Sequence, residues 1–130
     1  MRRPVAALLL GLAFASGCAE IRDLWALRGA LQERYDSGDV HLSVESGVRT
    51  LTVTVGRPDL LSLPPEARAE LAFDVARFAH ATYARASRVD AYEAVLEHEK
   101  PTKRLIPLTW KQSYRFHPTE LQERAAAGVL

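Results

Sequence analysis

Four segments in which apolar and polar residues alternate limit the fold of this chain more than any other feature of its sequence. They cover residues 40–45, 50–55, 89–98 and 108–116. Alternation with a period of two predicts β-strands that have one buried and one solvated face. Since a Ser-Gly turn signal at 46–47 separates the first two segments, those two are expected to pair as a hairpin.

Three other segments carry the signals of helices. In residues 20–35, apolar side chains recur every three or four positions, and Gly38 follows as a stop signal. A second helix is expected over residues 65–87, because proline suits the first turn and Glu66 favours the positive end of the helix dipole. A short third helix is expected over residues 118–128.

The predicted order of elements is therefore α-β-β-α-β-β, followed by the short C-terminal helix. Strand pairs separated by helices favour the α+β class. We expect a two-layer sandwich, in which the helices cover one face of a mainly antiparallel four-stranded sheet. The composition agrees with one globular domain, since 48% of the 130 residues are apolar and 25% are charged. It excludes a disordered tail, a collagen-like chain and a repeat array.

The N-terminus has the features of an export signal. Arg2 and Arg3 precede an apolar stretch of 11 residues, from Val5 to Ala15. A membrane-spanning helix needs about 20 apolar residues, so this stretch is too short for an ordinary span. Small residues then lead directly into the single cysteine of the chain, in the order Ala-Ser-Gly-Cys at 15–18. A positive start, a short apolar run and small residues at its end are typical of a secretory signal.

The tetrapeptide at 15–18 resembles the lipobox of bacterial lipoproteins, and the resemblance covers only the signal and Cys18. It implies cleavage between Gly17 and Cys18 and attachment of a diacylglycerol to the Cys18 sulfur. Residues 1–17 would then be a signal peptide, and residues 18–130 a lipid-anchored domain. Ala15 departs from the leucine that is most frequent at that position in the family.

The residues after Cys18 bear on where such a protein would be held. In well-studied double-membrane bacteria, an aspartate after the cysteine resembles an inner-membrane retention signal. Ala19 stands there in this chain, which favours the periplasmic face of the outer membrane. Because a helix is predicted to begin near residue 20, we expect that no flexible linker would separate a lipid-anchored domain from the bilayer. The alternative is a plain secreted protein that carries Cys18 as a free thiol.

The polar face of the predicted sheet is the candidate interaction surface. If the hairpin around residues 99–107 is symmetric, Glu97 lies near Lys111 and Glu93 lies near Arg115. Such a face is either simply solvated or docks a protein partner. The residues expected on it are Thr50, Thr52, Thr54, Glu93, Glu97, Lys111 and Arg115.

No motif in the sequence indicates catalysis, a cofactor or a metal ion. The G-x-S-x-G and H-E-x-x-H patterns and a glycine-rich phosphate loop are missing from it. His41 and Glu45 would need Glu93 or Glu97 beside them to form even a weak surface metal site. Nucleic acid is not an expected partner, because the net charge is +1 and becomes −1 once Arg2 and Arg3 are removed.

The aromatic residues separate into two groups. Trp110, Tyr114 and Phe116 alternate on one face of a predicted strand and are expected in the core. Trp25 is expected to pack in the core or between helices, with contact to lipid headgroups as the alternative. The sequence thus predicts a non-catalytic, lipid-anchored envelope protein that binds another protein near the membrane. The alternatives are a domain that binds an apolar small molecule or lipid between its helices and sheet, and a hydrolase whose catalytic residues no sequence motif reveals.

Overall fold

The structure of the chain, a computed structural model, describes residues 3–45, 47, 49–100 and 108–127. Three helices and four strands follow one another along the chain in the predicted order, with the strands in two consecutive pairs. Two short 3₁₀ turns, at Leu60–Ser62 and Ala86–Arg88, flank the second helix. The elements are α1 (Arg3–Tyr35), β1 (Val40–Val44), β2 (Thr50–Gly56), α2 (Pro65–Thr82), β3 (Ala91–Lys100), β4 (Leu108–Phe116) and α3 (Pro118–Ala127).

The four strands form one sheet in the order β1-β2-β3-β4. The two outer pairings, β1 with β2 and β3 with β4, are antiparallel, whereas β2 and β3 run parallel. The α+β class and the mainly antiparallel character of the sheet are confirmed, and the sheet is mixed. The parallel pairing arises because α2 lies in the long connection after β2 and returns the chain to the same end of the sheet.

The helices pack on one face of the sheet, as the alternation predicted. Leu27 and Leu31 of α1 and Val75 of α2 are buried against the apolar sides of the strands. Burying one such aliphatic side chain stabilises the fold by about 1.5–3 kcal/mol. The strand residues that complete this core are Val40, Leu51, Val53, Val55, Tyr92, Ala94, Leu96 and Phe116.

Two helix boundaries differ from those predicted. Helix α1 begins at Arg3 and passes through Cys18 without interruption, whereas the sequence placed its start near residue 20. Helix α2 ends at Thr82 and not near residue 87, because Tyr83 adopts an extended backbone and places its ring in the core. Gly128, the predicted end of the last helix, lies outside the described residues, as does the connection 101–107.

Among the helices that the structure describes, none is both long enough and apolar enough to cross a membrane.

Candidate functional site

The sheet face that points away from the helices carries the side chains that the sequence placed on the polar surface. Thr50, Thr52 and Thr54 of β2 lie beside β3, and Thr52 is in register with Glu93. On the other side of β3, Glu93 is in register with Arg115, and Glu97 with Lys111. The predicted cross-strand neighbours are therefore confirmed. All seven residues lie on this one surface, which we call the open face.

Solvent exposure across the open face has the pattern of a sheet with no second layer on it. Its outer positions Ser43 on β1 and Ser113 on β4 are exposed, and the central Thr52 and Glu93 are half-buried by their neighbours. Thr50 alone of the predicted seven is buried, at 2% exposure. The Arg115 guanidinium covers it and donates a 3.3 Å hydrogen bond to Thr50 Oγ1.

The charged pairs of the open face contribute little to stability. Lys111 Nζ lies 3.9 Å from Glu97 Oε1, and the Lys111 side chain is 60% exposed. An exposed ion pair of this kind stabilises a protein by about 0–1 kcal/mol. Arg115 is turned towards Thr50, and among the described residues its partner is that hydroxyl and not Glu93. Both cations are thus available to a partner at small cost to the fold.

The hydroxyls of the open face can both donate and accept hydrogen bonds. Thr52 stands opposite Ser43 on β1, and Thr54 stands opposite His41. Two carboxylates, two cations and the half-buried Val95, which lies between Thr54 and Ser113, complete a mostly polar surface on which the named charges balance. Side chains of this face can therefore form hydrogen bonds and ion pairs with a molecule placed on it.

The structure does not assemble the weak metal site considered from the sequence. His41 Nε2 lies 2.9 Å from Asp39 Oδ1, so its neighbour is a residue just before its own strand. Strands β1 and β3 are separated by β2, which puts them about 9–10 Å apart and keeps His41 away from Glu93 and Glu97. Within the described ranges, no group of three or more metal-ligating side chains is present.

Cys18 lies on the exposed side of α1 and has a free thiol. A helix repeats every 3.6 residues, so residues 18, 21, 22 and 25 share one stripe of its surface. Ile21 and Trp25 on this stripe are 57% and 66% exposed. The expectation that Trp25 packs in the core is wrong, because Leu27 and Leu31 take up the core side of the helix.

A shallow groove of about 340 Å³ runs beside this stripe, between α1 and the edge strand β1. Arg28 bridges the two elements, since its Nε donates a 2.9 Å hydrogen bond to the Val40 carbonyl. Its guanidinium also lies 5.8 Å from the centre of the Trp25 ring. The groove is lined by Ile21, Leu24, Trp25, Arg28, His41 and Leu42.

The sequence did not indicate a second, polar cleft, which has a volume of about 580 Å³. It lies where α1 ends and β2 ends, and Asp39, Asp59 and Glu97 line it. Arg57 holds Asp59 by two hydrogen bonds of 2.9 and 2.7 Å. Asp39, Asp59 and Glu97 are 20 or more positions apart in the sequence, so no local motif could have revealed the cleft.

Comparison of the chain with protein-family models, curated proteins and solved structures found no match.

Proposed function

We propose that this chain is a small, non-catalytic lipoprotein of the bacterial cell envelope, whose domain binds another protein at the membrane. In this account, the signal peptide of residues 1–17 is removed between Gly17 and Cys18. Cys18 then carries the lipid, and Ala19 favours the periplasmic face of the outer membrane. The observation that carries the partner-binding role is the open face, a four-stranded polar surface with no layer of the described chain on it.

The position of Cys18 supports the lipid anchor. Its thiol is exposed, so the sulfur is accessible to a modifying enzyme. The segment from Cys18 to Tyr35 is helical throughout and spans about 25 Å at 1.5 Å per residue. Leu27 and Leu31 pack this helix into the domain core, so the anchor point belongs to the domain itself. A lipid on Cys18 therefore keeps the domain at the membrane surface.

The size of the open face indicates what kind of complex it forms. Four strands about 4.8 Å apart and about seven residues long give a flat area of roughly 400–500 Å². A stable standard interface buries about 800 Å² on each partner. The open face alone therefore supports a transient complex. Attachment to the same membrane raises the effective concentration of the partner and compensates for the small area.

Site-specific photo-cross-linking in bacterial membranes tests this role. A photo-reactive amino acid is placed at Ser43 or Ser113, which are exposed on the open face. The matched controls carry the same group at Glu66 or Ala81, which are exposed on α2 in the opposite layer. We expect a discrete cross-linked product from the two face positions and none from the controls. Products from the controls alone, or from all four positions equally, would contradict the proposed surface.

A second candidate function is the binding of an apolar small molecule or lipid. The groove between α1 and β1 favours it, because its lining includes Ile21, Leu24 and Leu42. Native mass spectrometry of the protein, released gently from membranes, tests this candidate. A non-covalent ligand that is lost in a Leu42→Asp variant and kept in a Ser43→Asp variant would support it. If the protein carries no non-covalent ligand under the same conditions, the ligand-binding function is rejected.

A further inference from the structure

We propose that the outward stripe of α1, formed by Cys18, Ile21, Arg22 and Trp25, is a bilayer-contact face. It lays the first two turns after Cys18 against phospholipid headgroups. We call these four residues the outward stripe. The inference rests on the proposed lipid attachment at Cys18 and adds the orientation in which the domain is held.

The exposed apolar side chains are concentrated on this stripe. Among the side chains whose exposure the structure describes, which begin at Cys18, three large apolar ones are exposed, namely Ile21, Trp25 and Leu61. Two of the three lie within about 10 Å of Cys18 along the helix axis, at 1.5 Å per residue. A large exposed apolar side chain that repeats on one helix face marks a contact surface. The lipid proposed for Cys18 would emerge from the same side.

The charges around the outward stripe match a phospholipid surface. Arg22 is exposed on the stripe, and Arg28 flanks it beside the Trp25 ring. The acidic residues of the same segment are directed elsewhere. Asp23 Oδ2 accepts a 2.8 Å hydrogen bond from Arg85 of the domain, and Glu20 lines a pocket on the side of Tyr83. The stripe therefore presents cations, which attract the phosphates of lipid headgroups.

The position of the next exposed acidic residue limits how far the bilayer contact extends along α1. Glu33 is the next acidic residue exposed on this side of α1, about 12 Å beyond Trp25 along the helix. A carboxylate there is repelled by anionic headgroups, so the contact ends near Arg28. Tryptophan is enriched at membrane interfaces, where its ring is half in the apolar layer and half in water. Trp25 is thus the last apolar side chain of the bilayer-contact face, and Arg28 lies about one turn beyond it.

Fluorescence quenching by lipids tests the proposal. The full chain is produced in bacteria, extracted from their membranes and reconstituted in vesicles of phosphatidylethanolamine and phosphatidylglycerol. These vesicles include a phospholipid brominated near the top of its acyl chains. The chain has two tryptophans, Trp25 and Trp110. A Trp25→Phe variant is the matched control, because it keeps an apolar ring at an exposed position and leaves Trp110 as the reporter.

We expect brominated lipid to quench about half of the emission of the unchanged chain and almost none of the emission of the Trp25→Phe variant. Equal quenching of the two proteins, or quenching of neither, would overturn the proposed orientation. The mass of Cys18 is measured on the same samples. An unmodified Cys18 would reject the lipoprotein function and this inference with it. A lipid-modified Cys18 with unquenched Trp25 would reject the orientation alone.

Discussion

The hydroxyl of Tyr35 donates a 2.6 Å hydrogen bond to Asp74 Oδ2, which ties the end of α1 to the middle of α2. Arg34 donates to the same carboxylate at 3.0 and 3.2 Å, and its guanidinium lies 4.6 Å from the centre of the Phe78 ring. This joint fastens the helix that carries Cys18 to the rest of the domain. It adds to the core packing of Leu27 and Leu31, which also holds α1 on the domain.

Replacing Asp74 with asparagine should weaken this joint. The Asp74→Asn side chain keeps the size of the original but loses the charge-assisted hydrogen bonds from Arg34 and Tyr35. We expect a loss of about 1–2 kcal/mol in the free energy of unfolding, since hydrogen bonds to charged groups contribute roughly 1.5–3 kcal/mol when fully buried. Urea denaturation of the two proteins measures this difference in the free energy of unfolding. Glu70→Gln is the control, because the Glu70 side chain is exposed and its Oε1 lies 3.7 Å from the Arg124 guanidinium. Equal losses of stability in the two variants would contradict the role of Asp74.

The same joint should depend on pH in a defined direction. Partial burial opposes the ionisation of Asp74, but the hydrogen bonds from Arg34 and Tyr35 outweigh it, and the pKa of Asp74 lies below its ordinary value of 3.8. A lowered pKa means that the stability from this carboxylate is complete above 3.8 and is lost as the pH falls below it.

The free energies of unfolding of the unchanged chain and of Asp74→Asn should therefore differ by a constant amount from neutral pH down to about pH 4. The two should converge at lower pH. Convergence at pH 5 to 6 would show that a different group controls the joint.

Gly56 should tolerate alanine poorly. A Cβ at this position would overlap the Asp39 carboxylate, and Ser37 Oγ donates a 2.6 Å hydrogen bond to the Gly56 carbonyl. Relieving the overlap requires the exposed Asp39 side chain to rotate away from His41 and its Cβ to give by a few tenths of an ångström, so Gly56→Ala is expected to lose about 1 kcal/mol of stability.

Gly29→Ala is the matched control for that measurement. Nothing lies within 4 Å of a Cβ at Gly29, which is in the interior of α1. Alanine there should stabilise the helix by about 0.5–1 kcal/mol. A Gly56→Ala protein as stable as Gly29→Ala would show that the turn is looser than described.

Substitution on the open face should separate binding from folding. Ser113 is exposed, so Ser113→Arg is expected to change the free energy of unfolding by less than about 0.5 kcal/mol. It should nevertheless remove the cross-linked product obtained from Ser43. Val53→Ala, on the buried side of the sheet, is the opposite control and should cost about 2 kcal/mol. Retention of the Ser43 product in Ser113→Arg would show that the partner does not lie across the whole face.

Much of the fold could be predicted because period-two and period-3.6 patterns report directly which side of an element is buried. The pairing of Glu97 with Lys111 followed from that alternation and from a symmetric hairpin. The parallel direction of β2 and β3 could not be predicted, since alternation is the same whichever way a strand runs.

The errors at the candidate sites have a similar physical origin. Trp25 follows Leu24 in the sequence, but one residue turns the helix by about 100°, which takes the indole out of the interface that Leu24 borders. The polar cleft joins Asp39, Asp59 and Glu97, which only the tertiary fold brings together. The hydrogen bond from Arg115 to Thr50 crosses β3 and depends on the parallel register of the sheet.

The central claim is that Cys18 is the lipid-bearing first residue of the mature protein, and an intact mass measurement tests it most directly. The chain is expressed in a double-membrane bacterium and extracted from the membrane fraction with detergent. Its intact mass is then measured by mass spectrometry. The account predicts a polypeptide of residues 18–130 with the added mass of a diacylglyceryl group on Cys18. A Cys18→Ser chain should carry no such addition. A full-length chain, or a shortened one with a free Cys18 thiol, would contradict the account.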